Sequence, residues 1–215
     1  MSVLIDNFDK ILGGFRTTIT MFVVAALLSL LLGTVLGAMR VSPVPVLRAA
    51  GTAYVNVVRN TPLVVIFILI VFGLPEVGIK PSFFVRAVIA LTLYTSAFVT
   101  EVLRSGMNSV QPGQAEAARA IGLTFSQTLT IVVLPQAFRT VVPPLASVLI
   151  ALVKNTAVAE AFGVTEAAYQ LESLVRDNPS SVWPLFLGIA FGYVLISLAV
   201  AGLARWTESQ VAIAR

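Results

Sequence analysis

Long apolar runs separated by short polar breaks set the rhythm of this chain. A helix needs roughly 20 mostly apolar residues to cross the hydrocarbon core of a bilayer. The pattern predicts five such segments: about Thr17 to Met39, Arg59 to Leu74, Phe83 to Leu103, Phe138 to Val153, and Val182 to Leu203. The second is short unless residues before Arg59 contribute. The fourth contains Pro143 and Pro144, and an alternative start lies near Thr128 with a kink. Breakers sit between the runs: Ser42-Pro43 and Pro45, Leu74-Pro75, Pro81, Gln111-Pro112-Gly113, and Asp177-Asn178-Pro179. Trp183 and Trp206 bracket the fifth run, as expected of an aromatic belt. No long linker interrupts the pattern, so residues 1–215 read as one all-α membrane domain. No internal repeat is visible, which argues against an inverted-repeat secondary transporter.

Composition sharpens this picture. The chain is 58% hydrophobic and only 11% charged, where soluble domains carry roughly 25% charged residues. It has no Cys and no His, which excludes disulfides, the common zinc sites and Cys- or His-centred catalysis. The formal charge of +4 comes without a basic patch interleaved with aromatics, so nucleic acid is not an expected partner. The opening MSVLIDNFDK is acidic where a signal peptide is basic, and the first apolar run is read as a retained helix.

Lys and Arg set the expected orientation. Arg40, Arg48, Arg59, Arg104, Arg119, Arg139, Arg205 and Arg215 fall on one side, and Lys10, Arg16, Lys80, Arg86 and Arg176 on the other, with Lys154 near that edge. The richer side is expected to be cytoplasmic. This places the N-terminus outside and the C-terminus inside.

Between the third and fourth runs lies a polar, alanine-rich segment, Glu116 to Pro135, reading EAARAIGLTFSQTLTIVVLP. Gln114 to Ile121 is predicted to be a short helix. Glu116 is expected in its first turn, near the positive end of the helix dipole. Gly122 suits the left-handed position that ends a helix, and Thr124 or Ser126 can cap the next one. A helix this short is marginal alone, so it needs contacts on its own chain or a groove on a partner.

The order Glu116-Ala117-Ala118, three residues, Gly122, nine residues, Val132, one residue, Leu134-Pro135 resembles the EAA signature of ABC importer permeases. Val132 stands where isoleucine is usual. Val58-Arg59-Asn60-Thr61-Pro62-Leu63 resembles the "RGTPL" start of the second span in polar amino acid permeases, with Asn60 in place of glycine. Thr100 to Gly106 resembles their "AE..RGG" stretch, and Lys154-Asn155-Thr156 with Gly163-Val164 their "KNTSL…IG" stretch. The chain is thus similar to the histidine, glutamine and glutamate type of permease. The resemblance implies a type I importer fold of about five spans, in a bacterial cytoplasmic membrane, with a coupling loop at about 105–135. It implies ATPase coupling through Glu116, Ala117, Ala118, Gly122, Leu134 and Pro135. It also implies a second permease, identical or homologous, two ATP-binding subunits that hold ATP and Mg, an external solute-binding protein and a polar amino acid, glutamate or glutamine first.

The polar residues near the span ends are the candidates for the solute path. Glu101 is an acid in a span, and Arg104 on the same helical face can pair with it. Its ordinary reading is an interfacial ion pair; its functional one is a place on the path. Lys154, Asn155, Thr156 and Glu160 supply a cation, an amide, a hydroxyl and an anion, the groups a zwitterion needs, although Lys154 and Glu160 can also snorkel to the interface. No phosphate loop ending in Lys-Ser or Lys-Thr is present; the chain is expected to lack its own nucleotide site. A secondary transporter or channel without an ATPase is the alternative, and it predicts acids at mid-membrane depth.

Overall fold

The computed structural model describes residues 2–211. Arg215, counted above with the arginine-rich side, lies outside the described residues. Among the described residues there is no strand. The helices are α1 (Ser2–Asp6), α2 (Phe8–Val41), α3 (Pro45–Arg59), α4 (Leu63–Glu76), α5 (Phe83–Asn108), α6 (Pro112–Ala120), α7 (Phe125–Gln127), α8 (Leu134–Asn155), α9 (Ala167–Asp177) and α10 (Val182–Val211). A π-helical turn, Thr128–Val133, joins α7 to α8, and 3-10 turns cover Thr156–Phe162 and Pro179–Ser181.

Four helical runs are long and apolar enough to cross a membrane: Phe8–Val41, Phe83–Asn108, Phe125–Phe162 and Pro179–Gln210. The fifth expected span differs. Arg59 ends α3 rather than starting a span, and the chain bends by 104° before α4. Pro62 enforces the break, because the residue before a proline is pushed out of the helical region. Asn60 and Thr61 side chains then donate to the carbonyls of Asn56 and Val57, at 2.7 and 2.8 Å, which satisfies the frayed end of α3. The 14 residues of α4 cover about 21 Å at 1.5 Å each, short of the roughly 30 Å core. The two helices are long and apolar enough for one span only when taken together as a bent pair. The fourth run starts at Phe125, earlier than Phe138, and stays one run through Pro143 and Pro144, both inside α8.

Helix α5 is the hub, in contact with α2, α3, α4 and α8. Its contact with α2 is backbone-close. A Cβ on Gly33 would lie 2.6 Å from Val99 Cγ1, so only glycine allows this approach. Hydroxyl groups stitch the seam: Ser29 donates to the Thr92 carbonyl (3.3 Å) and Thr100 to those of Gly33 (3.1 Å) and Ser96 (2.8 Å). Toward the α4 side of the core, Met21, Phe67, Leu91 and Leu152 are fully buried, and Phe67 stacks on Phe162 at 5.0 Å. Pro75 cannot donate to the Val71 carbonyl four residues back; the Arg86 guanidinium does so instead at 2.7 Å, and its Nε reaches the Pro81 carbonyl at 3.0 Å. Apolar side chains outside this core, including Leu27, Leu31, Leu187 and Leu203, are exposed, as suits helices whose solvent is lipid.

Replacing Gly33 with leucine should force α2 and α5 apart and cost about 1–3 kcal/mol or more. Thermal unfolding of the detergent-purified protein should show a lower midpoint, while Gly13→Leu, which meets nothing within 4 Å, should leave it nearly unchanged.

Candidate functional site

At one end of the bundle α6 stands out from the spans as an exposed helix. It begins at Pro112, a favoured first position, so Glu116 lies two residues further in than expected and outside the first turn. Its end is a Schellman closure: Leu123 N–H donates to the Ala118 carbonyl (3.2 Å) and Gly122 N–H to that of Arg119 (3.0 Å). Gly122 has the left-handed φ of +91° that this closure requires. Thr124, not Ser126, caps the next helix in a capping box: Gln127 N–H donates to its hydroxyl (3.3 Å) and Thr124 N–H to Gln127 Oε1 (2.9 Å). Of the α6 residues, Ala118 is buried against its own chain, while Glu116 and Ala117 face outward. Around the corner Ile121 and Phe125 are 81% and 76% exposed. Two large apolar side chains beside small ones on a polar helix form a surface fit for a protein groove. Leu134 and Pro135 fall elsewhere, beyond the π-helical turn, where they line a cleft against α2 and α5.

The solute-path candidates do not gather in one place. Asn155 is half-buried and lines a cleft of about 330 Å³ between α5 and α8 with Tyr94, Thr95, Phe98, Ser147, Val148 and Ala151. Thr156 is fully buried, its hydroxyl spent on the Val153 carbonyl at 2.7 Å. Lys154 is exposed beside a different depression near Phe186 and Tyr193. Glu160 lies half-buried in the 3-10 turn. Glu101 sits far along α5, where it pairs with Arg104 as expected and also with Arg40 (2.5 Å) and Arg59 (3.6 Å).

Sequence reading passed over Tyr94, Thr95 and Ser147. Their signal was present as hydroxyl groups inside apolar runs at helical spacing: 94, 95 and 98 share one face of α5, and 147, 148, 151 and 155 one face of α8. The Thr95 hydroxyl is buried without a protein partner, an uncommon state for such a group.

Sequence reading also passed over Glu166. Its residue surface is fully buried. It caps α9 by accepting from Tyr169 N–H (3.0 Å), and it accepts from Thr18 of α2 (3.0 Å) and Tyr193 of α10 (2.5 Å). Thr18 in turn accepts from Ala167 N–H at 3.1 Å. One carboxyl thus fastens three helices. Burial raises its pKa above the ordinary 4.5, against the lowering effect of its donors from Tyr193, Tyr169, Thr18 and Ala168.

A bundle of apolar helices with a cleft bearing polar groups between two of them and an exposed helix at one end is consistent with the membrane-spanning part of a transporter. The chain belongs to the family of binding-protein-dependent transport system inner membrane components, which matches residues 25–213. It is 42% identical to the Glutamate transport system permease protein GluC of Corynebacterium efficiens, over 94% of this chain and 95% of that one. It is 37% identical to the Probable glutamine ABC transporter permease protein GlnM of Bacillus subtilis, over 98% and 97%. Its fold is similar to the crystal structure of an amino acid ABC transporter with histidines, with a TM-score of 0.88 at 27% identity over 96% of each chain. It also matches an inward-facing structure of the MetNI methionine ABC transporter, with a TM-score of 0.79 at 20% identity over 97% of this chain and 99% of that one, which speaks to the fold alone. The chain is a multi-pass ABC importer permease.

The Glu166 geometry carries a pH prediction. With its pKa raised in the folded state, the unfolded chain ionises first as pH rises through about 4.5. Stability is therefore lost from that pH upward until the folded carboxyl also ionises. The thermal midpoint of wild type should fall between pH 4.5 and neutrality relative to Glu166→Gln; parallel curves for the two proteins would refute the assignment.

Proposed function

We propose that this chain is the translocation subunit of an ATP-driven importer of a polar amino acid, with glutamate or glutamine the favoured solute. It works as a pair with a second permease, identical or homologous. Two ATP-binding subunits, which carry the ATP and Mg, dock at α6; a solute-binding protein delivers the amino acid to the opposite face. The arginine-rich end that carries α6 is the cytoplasmic one, in a bacterial cytoplasmic membrane. The observation that carries this reading is the α6 corner, where Ile121 and Phe125 are exposed.

Closure of the ATPases on ATP pushes α6. The push passes through the capping box of Thr124 and the π-helical turn into α8, whose polar face forms part of the solute path. Asn155, Thr95 and Ser147 offer that path an amide and two hydroxyls, suited to an α-carboxylate and ammonium. Relatives bearing glutamate and glutamine transport names support the choice of solute.

Two substitutions test this. Gly122→Val meets open space, since a Cβ there has nothing within 4 Å, but a β-branched residue at positive φ costs about 1 kcal/mol or more. The variant should insert normally yet lose ATPase co-purification and transport; normal transport with the ATPase bound would overturn the docking account. Asn155→Ala should keep the ATPase bound and reduce uptake of labelled glutamate or glutamine by about tenfold, the effect of one lost hydrogen bond to a charged group. Unchanged uptake would remove Asn155 from the path.

A further inference from the structure

Three guanidinium groups meet one carboxylate at the α6 end of the bundle. Arg40 of α2, Arg59 of α3 and Arg104 of α5 all approach Glu101. No other carboxylate pairs with them among the described residues, so two positive charges remain uncompensated. Their side chains are 12%, 40% and 35% exposed respectively. Excess positive charge at the edge of the apolar layer attracts an anion. Arg104 makes no hydrogen bond besides that to Glu101 among the described residues.

Arg104 also closes one end of a cleft of about 750 Å³ between α2, α5 and α8, and it is the one charged residue lining it among those described. The remaining wall is small or apolar, with Leu30, Ala38, Met107, Phe138 and Leu145 among its residues. Along α2 the cleft runs from Leu30 to Val41, about 16 Å at 1.5 Å per residue. That is the depth of one leaflet, half of the roughly 30 Å core. Gly37 packs against Leu103, so Arg104 lies toward the Val41 end of the cleft, away from the bundle's middle. Length and apolar wall match one acyl chain, and the Arg104 side chain bordering the cleft, paired with Glu101, stands where that chain's anionic headgroup would lie.

We propose that this cleft holds one anionic phospholipid, an acyl chain along α2, α5 and α8 and its phosphate at Arg104 in the field of Arg40 and Arg59. The lipid supplies the negative charge that the arginine cluster lacks, and it joins α5 and α8, the two helices that line the polar cleft, from their other side. The assignment does not depend on which solute is carried.

The test is native mass spectrometry of the complete transporter complex, released from nanodiscs of phosphatidylcholine mixed with phosphatidylglycerol. Wild type should retain one phosphatidylglycerol per permease in preference to phosphatidylcholine. Ala38→Trp, which fills the cleft and leaves the arginine cluster intact, should lose it. Arg104→Gln should weaken retention about fivefold, the effect of one basic group at an anionic surface. Equal retention of the two lipids by wild type, or full retention by Ala38→Trp, would overturn the proposal. So would disulfide crosslinking of Met107→Cys to a second permease copy, which would place protein in the cleft.

Discussion

The close approach of α2 and α5 is the constraint from which the rest of the bundle is built. Lipid offers no hydrophobic force to drive helices together, so association depends on tight packing and on hydrogen bonds between helices. Gly33 under Val99 supplies the first, and the hydroxyls of Ser29 and Thr100 the second. With this pair fixed, α3 lies across both helices. Tyr54 reaches the Leu93 carbonyl at 2.9 Å, and Gly51 fits against Leu36 and Met39. The short α4 and the long α8 then close on the remaining sides of α5.

At several breaks in the helices the freed backbone group finds a side-chain partner. Arg86 takes the Val71 carbonyl that Pro75 leaves without a donor. Asn60 and Thr61 take the carbonyls at the end of α3. Glu166 and Thr18 between them accept from two N–H groups at the start of α9. Irregular backbone at membrane depth is tolerated where protein satisfies it, and here side chains from other helices or neighbouring turns do so. Arg86 and Glu166 are charged residues whose observed work is positioning.

The exposed corner at Ile121 and Phe125 and the cleft at Asn155 lie toward different ends of one helical run, Phe125–Phe162. In the proposed coupling, a displacement at the start of this run would travel along it toward Asn155 near its far end. The π-helical turn at Thr128–Val133 interrupts the regular ladder between them. Such turns are rare and concentrate at functional positions; the buried Thr128 hydroxyl there has no protein partner.

The sequence by itself determined the features whose partners are neighbours in the chain. Apolar runs marked the spans to within several residues at most ends, and Gly122 and Thr124 marked the corner, because a Schellman closure and a capping box use groups only three to five residues apart. The Glu101–Arg104 pair was legible for the same reason, being one turn apart on a helix. Only the tertiary structure decided the rest. Arg40 and Arg59 join Glu101 from α2 and α3, Thr18 reaches Glu166 across 148 residues, and Asn155 shares a cleft with Thr95 rather than with Thr156 or Lys154. Those contacts depend on how each helix is rotated about its axis and where it crosses its neighbours. In runs apolar on nearly every face the polar pattern does not fix that rotation; glycine notches and hydroxyl stitches between helices do.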